Sequence, residues 1–144
     1  MRVRWLPDVN IWLALCLSEH VHNNKATEWI SADKEPIFFC RASQQGLLRL
    51  LTTAAVLAPY RLAPLSNRQA LLRMREMLEV KRIQMADEPM RIESDWERLA
   101  DSTFASPKLW MDAYLAAFAI AGGYRIVTTD KAFKQFKGLN VLVL

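Results

Sequence analysis

Residues 106–133 read SPKLWMDAYLAAFAIAGGYRIVTTDKAF. Ser106 followed by Pro107 predicts a helix start, with serine as the cap and proline in the first turn. An apolar run then continues to Ile120, and Gly122 and Gly123 end it. Tyr124 to Val127 is a short strand-forming run, and Thr128, Thr129 and Asp130 follow it directly. Helix, glycine stop, apolar strand and then a carboxylate is the order expected where a strand runs out of a sheet into a functional loop.

The same alternation extends in both directions. Residues 3–6 predict a buried strand, and residues 9–18 change to helical spacing through Ile11, Leu13 and Leu15. Asp8 stands at the junction. HVHNNKATEWISA, from His20, predicts a second amphipathic helix with Ala26, Trp29 and Ile30 on one face. Residues 37–39 predict a strand, and Ser43 is placed to cap a helix through QQGLLRLLTT. Leu47, Leu48 and Leu51 form its apolar face, which Arg49 interrupts, and Gly46 weakens it. Pro59 and Pro64 bracket a predicted loop, and Ser66 opens a helix over 67–80 with a basic face of Arg68, Arg73 and Arg75. Residues 82–85 predict a strand, DEPMR a loop, 92–100 a helix, 131–136 a short helix and 141–144 a last strand. The expected architecture is one α/β domain over residues 1–144, an α/β/α sandwich around a central, mostly parallel sheet.

Composition narrows the function. The 144 residues are 52% hydrophobic and 24% charged, which is ordinary for a globular protein and excludes a disordered chain. A net charge of +4 favours a polyanionic partner. Cys16 and Cys40 lack the spacing of a zinc site or a disulfide framework, and a reducing, cytoplasmic setting is expected. Residues 1–18 faintly imitate a secretory signal, but Asp8 in the apolar stretch opposes that reading. AYLAAFAIAGG is well short of the ~20 residues of a membrane span.

Loops at the carboxyl ends of parallel strands meet in one crevice. Asp8 and Asp130 each follow a strand there, and Asp112, in the first turns of the helix before the last long strand, can direct its carboxylate to the same edge. Three carboxylates together repel one another unless a cation neutralises them, and oxygen-only donors suit Mg2+ or Mn2+. Local alternatives exist: Asp8 and Asp130 also stand where helix caps are expected, and Asp112 has a solvent-facing alternative.

LPDVNIWLAL, SPKLWMDAYLAAFA and VTTDKAF, in this order over essentially the whole chain, resemble the first, third and fourth motifs of PIN domains. FCRASQQGLLRLLT and EHVHNNKATEW further resemble segments of VapC-like proteins, the toxins of bacterial type II toxin–antitoxin pairs. The resemblance implies that Asp8 and Asp112 are metal ligands, that Asp130 completes the cluster directly or through water, and that Asn10 and Thr128 support them. It implies a Mg2+- or Mn2+-dependent endoribonuclease acting on single-stranded or looped RNA, inhibited by a VapB-like antitoxin and forming a homodimer. At the second motif PIN nucleases usually carry Glu, whereas this chain has Gln44 and Gln45. Gln44 is then a neutral ligand or substrate contact, or an acid such as Glu88 reaches the site, or both glutamines are surface residues.

Among the other candidates, Arg49 is a possible phosphate contact or a partner in a core-edge ion pair. His20 and His22 read as surface residues. Trp12 and Trp110, if exposed, are candidates for stacking on a base. Arg68, Arg73, Arg75, Lys81 and Arg82 are candidates for holding the RNA backbone. Two other classes compete with the nuclease. One is a catalytically impaired module that only binds RNA or protein. The other is a phospho-acceptor domain, disfavoured because no lysine follows the last strand.

Overall fold

Alternate residues of the short strands face opposite ways, and both directions are buried. Leu6 and Ile126 pack into one apolar layer, Trp5 and Val127 into another. A sheet covered on both faces reads as continuous apolar runs, which is why WLP and RIVT show no polar alternation. The computed structural model describes residues 2–144; Met1, the start of the signal-like stretch, lies outside the described residues.

The elements are β1 (Trp5–Pro7), α1 (Val9–Cys16), α2 (Asn23–Ala32), β2 (Ile37–Phe39), α3 (Arg41–Leu51), α4 (Ala54–Leu57), α5 (Asn67–Glu79), β3 (Ile83–Met85), α6 (Ile92–Ala100), α7 (Leu109–Gly122), β4 (Arg125–Thr128) and β5 (Val141–Val143). Short 3-10 turns lie at Ala58–Tyr60 and Lys131–Gln135. Every described strand pairing is parallel, and the order is β3-β2-β1-β4-β5. The chain winds one way from β1 through β2 to β3, then returns to place β4 and β5 on the other side of β1. In such sheets the crevice forms at this change of direction, beyond the carboxyl ends of the two central strands.

One face is covered by α6 and α7, whose alanines (Ala113, Ala116, Ala117, Ala119) allow close approach to the sheet, together with Phe118, Phe133 and Phe136. The other is covered by α1, α3 and α5 with Trp12, Leu47, Leu51 and Ala70. Between α1 and α3, a Cβ on Gly46 would stand 2.9 Å from Val9 Cγ2. The glycine that weakens the helix by propensity is therefore a site of close helix approach. Gly123 ends α7 in the left-handed conformation at φ 73°.

Three predicted caps and boundaries differ. Cys40, not Ser43, caps α3. The strand passes into the helix within one residue, and Ser43 sits one turn inside, its Oγ accepting from the Cys40 N–H at 3.0 Å. The helix after Ser106 begins only at Leu109, because residues 106–108 form a preceding turn closed by Leu109 N–H to Ser106 O at 3.1 Å. The stretch before Pro64 is not simply loop: buried Leu57 anchors α4, and Pro59 lies in the turn that follows. Ser66 caps α5 as predicted, in a reciprocal box with Gln69.

Candidate metal centre

β1 and β4 are hydrogen-bonded neighbours, and Asp8 N–H donates to Val127 O at 3.0 Å just beyond the end of β1. This places Asp8 beside the residues that leave β4. Thr128, fully buried, donates its hydroxyl to Asp8 Oδ2 at 2.9 Å and accepts the Asp130 N–H at 3.0 Å. One threonine thus orients the first carboxylate and the backbone carrying the third. Asp8 is only 5% exposed, and burial pushes its carboxyl above the usual range while the Thr128 bond opposes this.

Asp112 comes from the first turn of α7. Its carboxyl is pushed up to about 6, first by burial and then by the negative charge of Asp8, with Lys108 opposing. Among the described residues nothing donates a hydrogen bond to it. A carboxylate raised in this way beside a buried second one is under-compensated, and a cation relieves it.

Asp130 is held differently. Lys108 Nζ donates to its Oδ2 at 2.9 Å and Ala132 N–H to its Oδ1 at 2.9 Å, so its carboxyl lies below the usual range, chiefly because of Lys108. It serves as the cap of the 131–135 turn, the local alternative recognised in the sequence. Lys108 is the side chain at the carboxylates that sequence reasoning missed. The available signal was its position four residues before Asp112, at the cap of the same helix. Its ammonium is held charged by Asp130, Asp112 and Asp8 together.

Asp8, Asp112 and Asp130 therefore share one electrostatic environment at the β1–β4 crevice. Among the described residues, however, no three His, Cys, Asp or Glu side chains stand close enough together to hold an ion as they are. The oxygen-only donor chemistry fits a hard divalent cation, while Asp130 is turned towards Lys108.

The remaining predicted residues separate. Gln44 is only 3% exposed, on the first turns of α3, and its Oε1 accepts from Arg41 Nη1 at 2.7 Å. Gln45 is exposed. Glu88 does not act on the carboxylates; its Oε1 accepts from Tyr114 OH at 2.7 Å. Asn10, two residues after Asp8, is exposed and has no side-chain hydrogen bond among the described residues. Arg49 is exposed in the last turn of α3, about 12 Å along the helix axis from Arg41, and lines a groove with α5 instead of the crevice. Trp12 is fully buried and stacked on Phe39, so it is unavailable to a base, whereas Trp110 is 60% exposed. Arg82 is tied to Glu35 O, Ile30 O and Asp33, and Arg73 to Cys16 O. Both side chains tie distant segments together; Arg68, Arg75 and Lys81 are exposed and make no side-chain hydrogen bond among the described residues, while Arg73 is exposed as well. His20 stacks on Tyr60, away from the carboxylates.

A parallel sheet with acidic residues converging at its central switch point is the arrangement of a PIN-type nuclease fold. Residues 6–139 match the model of the PIN domain, and the chain belongs to this family. It is 48% identical over 142 residues to ribonuclease VapC41 of Mycobacterium tuberculosis, covering 96% of this chain and 97% of that protein. The fold is also that of VapBC2 from Rickettsia felis, solved bound to a DNA fragment from its promoter, at TM-score 0.68 and 14% identity over 98% of each chain. VapC20 of Mycobacterium tuberculosis, described as a sarcin–ricin-loop-cleaving toxin, matches at TM-score 0.66 and 16% identity, over 94% of this chain and 98% of that one. VapC nucleases with PIN domains generally depend on a divalent metal. No helix among the described residues is long and apolar enough to cross a membrane.

Proposed function

We propose that this protein is a divalent-metal-dependent endoribonuclease of the VapC kind, with Asp8 and Asp112 as the principal ligands of Mg2+ or Mn2+ and Asp130 joining them directly or through water. The observation that carries the reading is the Asp112 carboxyl, pushed up to about 6 beside a buried Asp8 at the β1–β4 crevice. Such a pair is costly without a cation and well matched to one.

A bound metal would polarise a phosphoryl oxygen and lower the pKa of a water so that its hydroxide form is available at neutral pH. Asp8, fixed by Thr128, and Asp112 hold the negative charge that places the cation. Thr128 also fixes the backbone of Asp130, whose carboxylate keeps Lys108 at the rim. The Lys108 ammonium, with most of its side chain exposed, is positioned to meet an incoming phosphate. No serine, cysteine or histidine nucleophile is required.

By kinship with the VapBC proteins, the partners are a VapB-like antitoxin, cellular RNA and a second copy of the chain, in the cytoplasm, and the unit is the single domain 1–144. A second reading, an impaired module that binds RNA or protein without cutting, draws on one observation: where the resemblance expects an acid, the chain has Gln44 and Gln45, and the Gln44 oxygen is engaged by Arg41. Incubating purified, antitoxin-free protein with total cellular RNA distinguishes them. The nuclease reading expects Mg2+- or Mn2+-dependent cuts that EDTA and Asp112→Asn abolish. Intact RNA with folded wild-type protein overturns it and favours the binding module.

A further inference from the structure

Arg41 opens α3 immediately beyond β2 and is an exposed residue, while its partner Gln44 is almost wholly buried and the bond between them part-buried. Trp5 pairs in register with Ile37, so Cys40 stands at the same level beyond β2 as Asp8 beyond β1. Adjacent strands lie roughly 4.8 Å apart, which puts the start of α3 on the wall of the carboxylate crevice.

The nature of the Arg41 partner is informative. The amide oxygen of Gln44 accepts one guanidinium N–H at 2.7 Å but brings no negative charge. Arg41 makes no ion pair among the described residues, and because its charge does not act on Asp8 or Asp112 the phosphate it would meet lies along the strand from the metal-binding carboxylates, not between them. Arg82 and Arg73, by contrast, already donate to backbone carbonyls. A long arginine normally loses rotamer freedom when a ligand fixes it. A buried acceptor three residues along the same helix turn removes part of that cost in advance. A glutamate at position 44 would hold the same arginine but neutralise it.

We infer that Arg41 is a phosphate-binding residue for the RNA strand entering the crevice, and that Gln44 is its positioning residue, holding the guanidinium in place while leaving its charge and remaining N–H donors to the phosphate. The inference rests on the ribonuclease reading for its ligand, and it gives the departure at the second motif a role: the neutral side chain preserves a cation. The chemistry recognised is a backbone phosphodiester, so no base preference is expected from this residue.

The test is binding of a single-stranded RNA oligonucleotide by the full chain in EDTA, alongside steady-state cleavage with Mn2+. Arg41→Ala is expected to weaken binding and raise KM about tenfold, the loss of one charge-assisted contact, with kcat changed far less. The slope of log affinity against log salt falls by about 0.7. Arg41→Lys restores the slope but only part of the affinity. Gln44→Glu weakens binding in the same direction as Arg41→Ala, because it neutralises the arginine. Unchanged binding and salt slope in Arg41→Ala overturn the inference, and so does tighter RNA binding in Gln44→Glu. Arg41-dependent binding by a wild type that cuts no RNA upholds the phosphate contact while the nuclease reading falls. A wild type that cuts RNA with no dependence on Arg41 does the reverse.

Discussion

Asp112→Asn should stabilise the protein in the absence of divalent metal, although it removes a residue assigned to the site. The Asp112 carboxyl moves from 3.8 to about 6 on folding, driven by burial and by Asp8. At about 1.4 kcal/mol per tenfold this corresponds to roughly 3 kcal/mol at full strength, and solvent screening of a half-buried group reduces it to about 1–2 kcal/mol. Because the folded state binds the proton more tightly, the penalty is absent below about pH 3.8, grows as pH rises towards 6, and is complete above it. At pH 7.5 in EDTA, the variant is expected to melt about 3–6 °C above wild type, with the gap closing as pH is lowered towards 4. Mn2+ should raise the melting temperature of wild type and leave the variant nearly unmoved. A variant no more stable than wild type at pH 7.5 in EDTA, or a gap that does not shrink in acid, refutes the argument that Asp112 is strained by its neighbours.

Thr128→Val keeps the volume but removes the hydroxyl that serves both Asp8 and Asp130 N–H. It should lower stability by roughly 1–3 kcal/mol in a denaturant titration and loosen Mn2+ binding, whereas an unaltered titration would show that the hydroxyl does not hold the carboxylate. Gly46→Ala gains about 1 kcal/mol of helix propensity but meets Val9 Cγ2 at 2.9 Å. Since valine at the start of α1 has little rotamer freedom, a net loss of stability is expected in thermal melts, with weaker cleavage because Val9 adjoins Asp8; a net gain would show that α1 yields without cost.

The alternation of short apolar runs with helical spacing made the layered α/β fold legible, since strands covered on both faces must be apolar throughout. Ile37–Phe39 and Ile92–Ala100 match the predicted boundaries, and Asp8 and Asp130 stand after strands and Asp112 in a helix start as their sequence positions indicated. What the sequence concealed depends on side-chain direction and tertiary packing. Trp12 is indistinguishable in sequence from an exposed aromatic until Phe39 is seen stacked on it. Arg82 and Arg68 are both basic residues in polar surroundings, yet only Arg82 lies within reach of the carbonyls at Glu35 and Ile30. Lys108 was overlooked because its partner Asp130 is 22 residues away, and Glu88 was considered for the site because its bond to Tyr114 crosses between elements. Ser43 and Ser106 carry strong cap signals, but the preceding backbone decides where the first turn closes.

The RNA target is a separate matter from whether the crevice is a metal centre, so titration of Mn2+ into EDTA-stripped, antitoxin-free protein by calorimetry tests the central claim most directly. Wild type is expected to show saturable binding that is lost or weakened at least tenfold in both Asp8→Asn and Asp112→Asn, while Asn10→Ala behaves as wild type. The account is contradicted by heats no larger than dilution for folded wild type at millimolar Mn2+, or by binding that both aspartate variants retain in full.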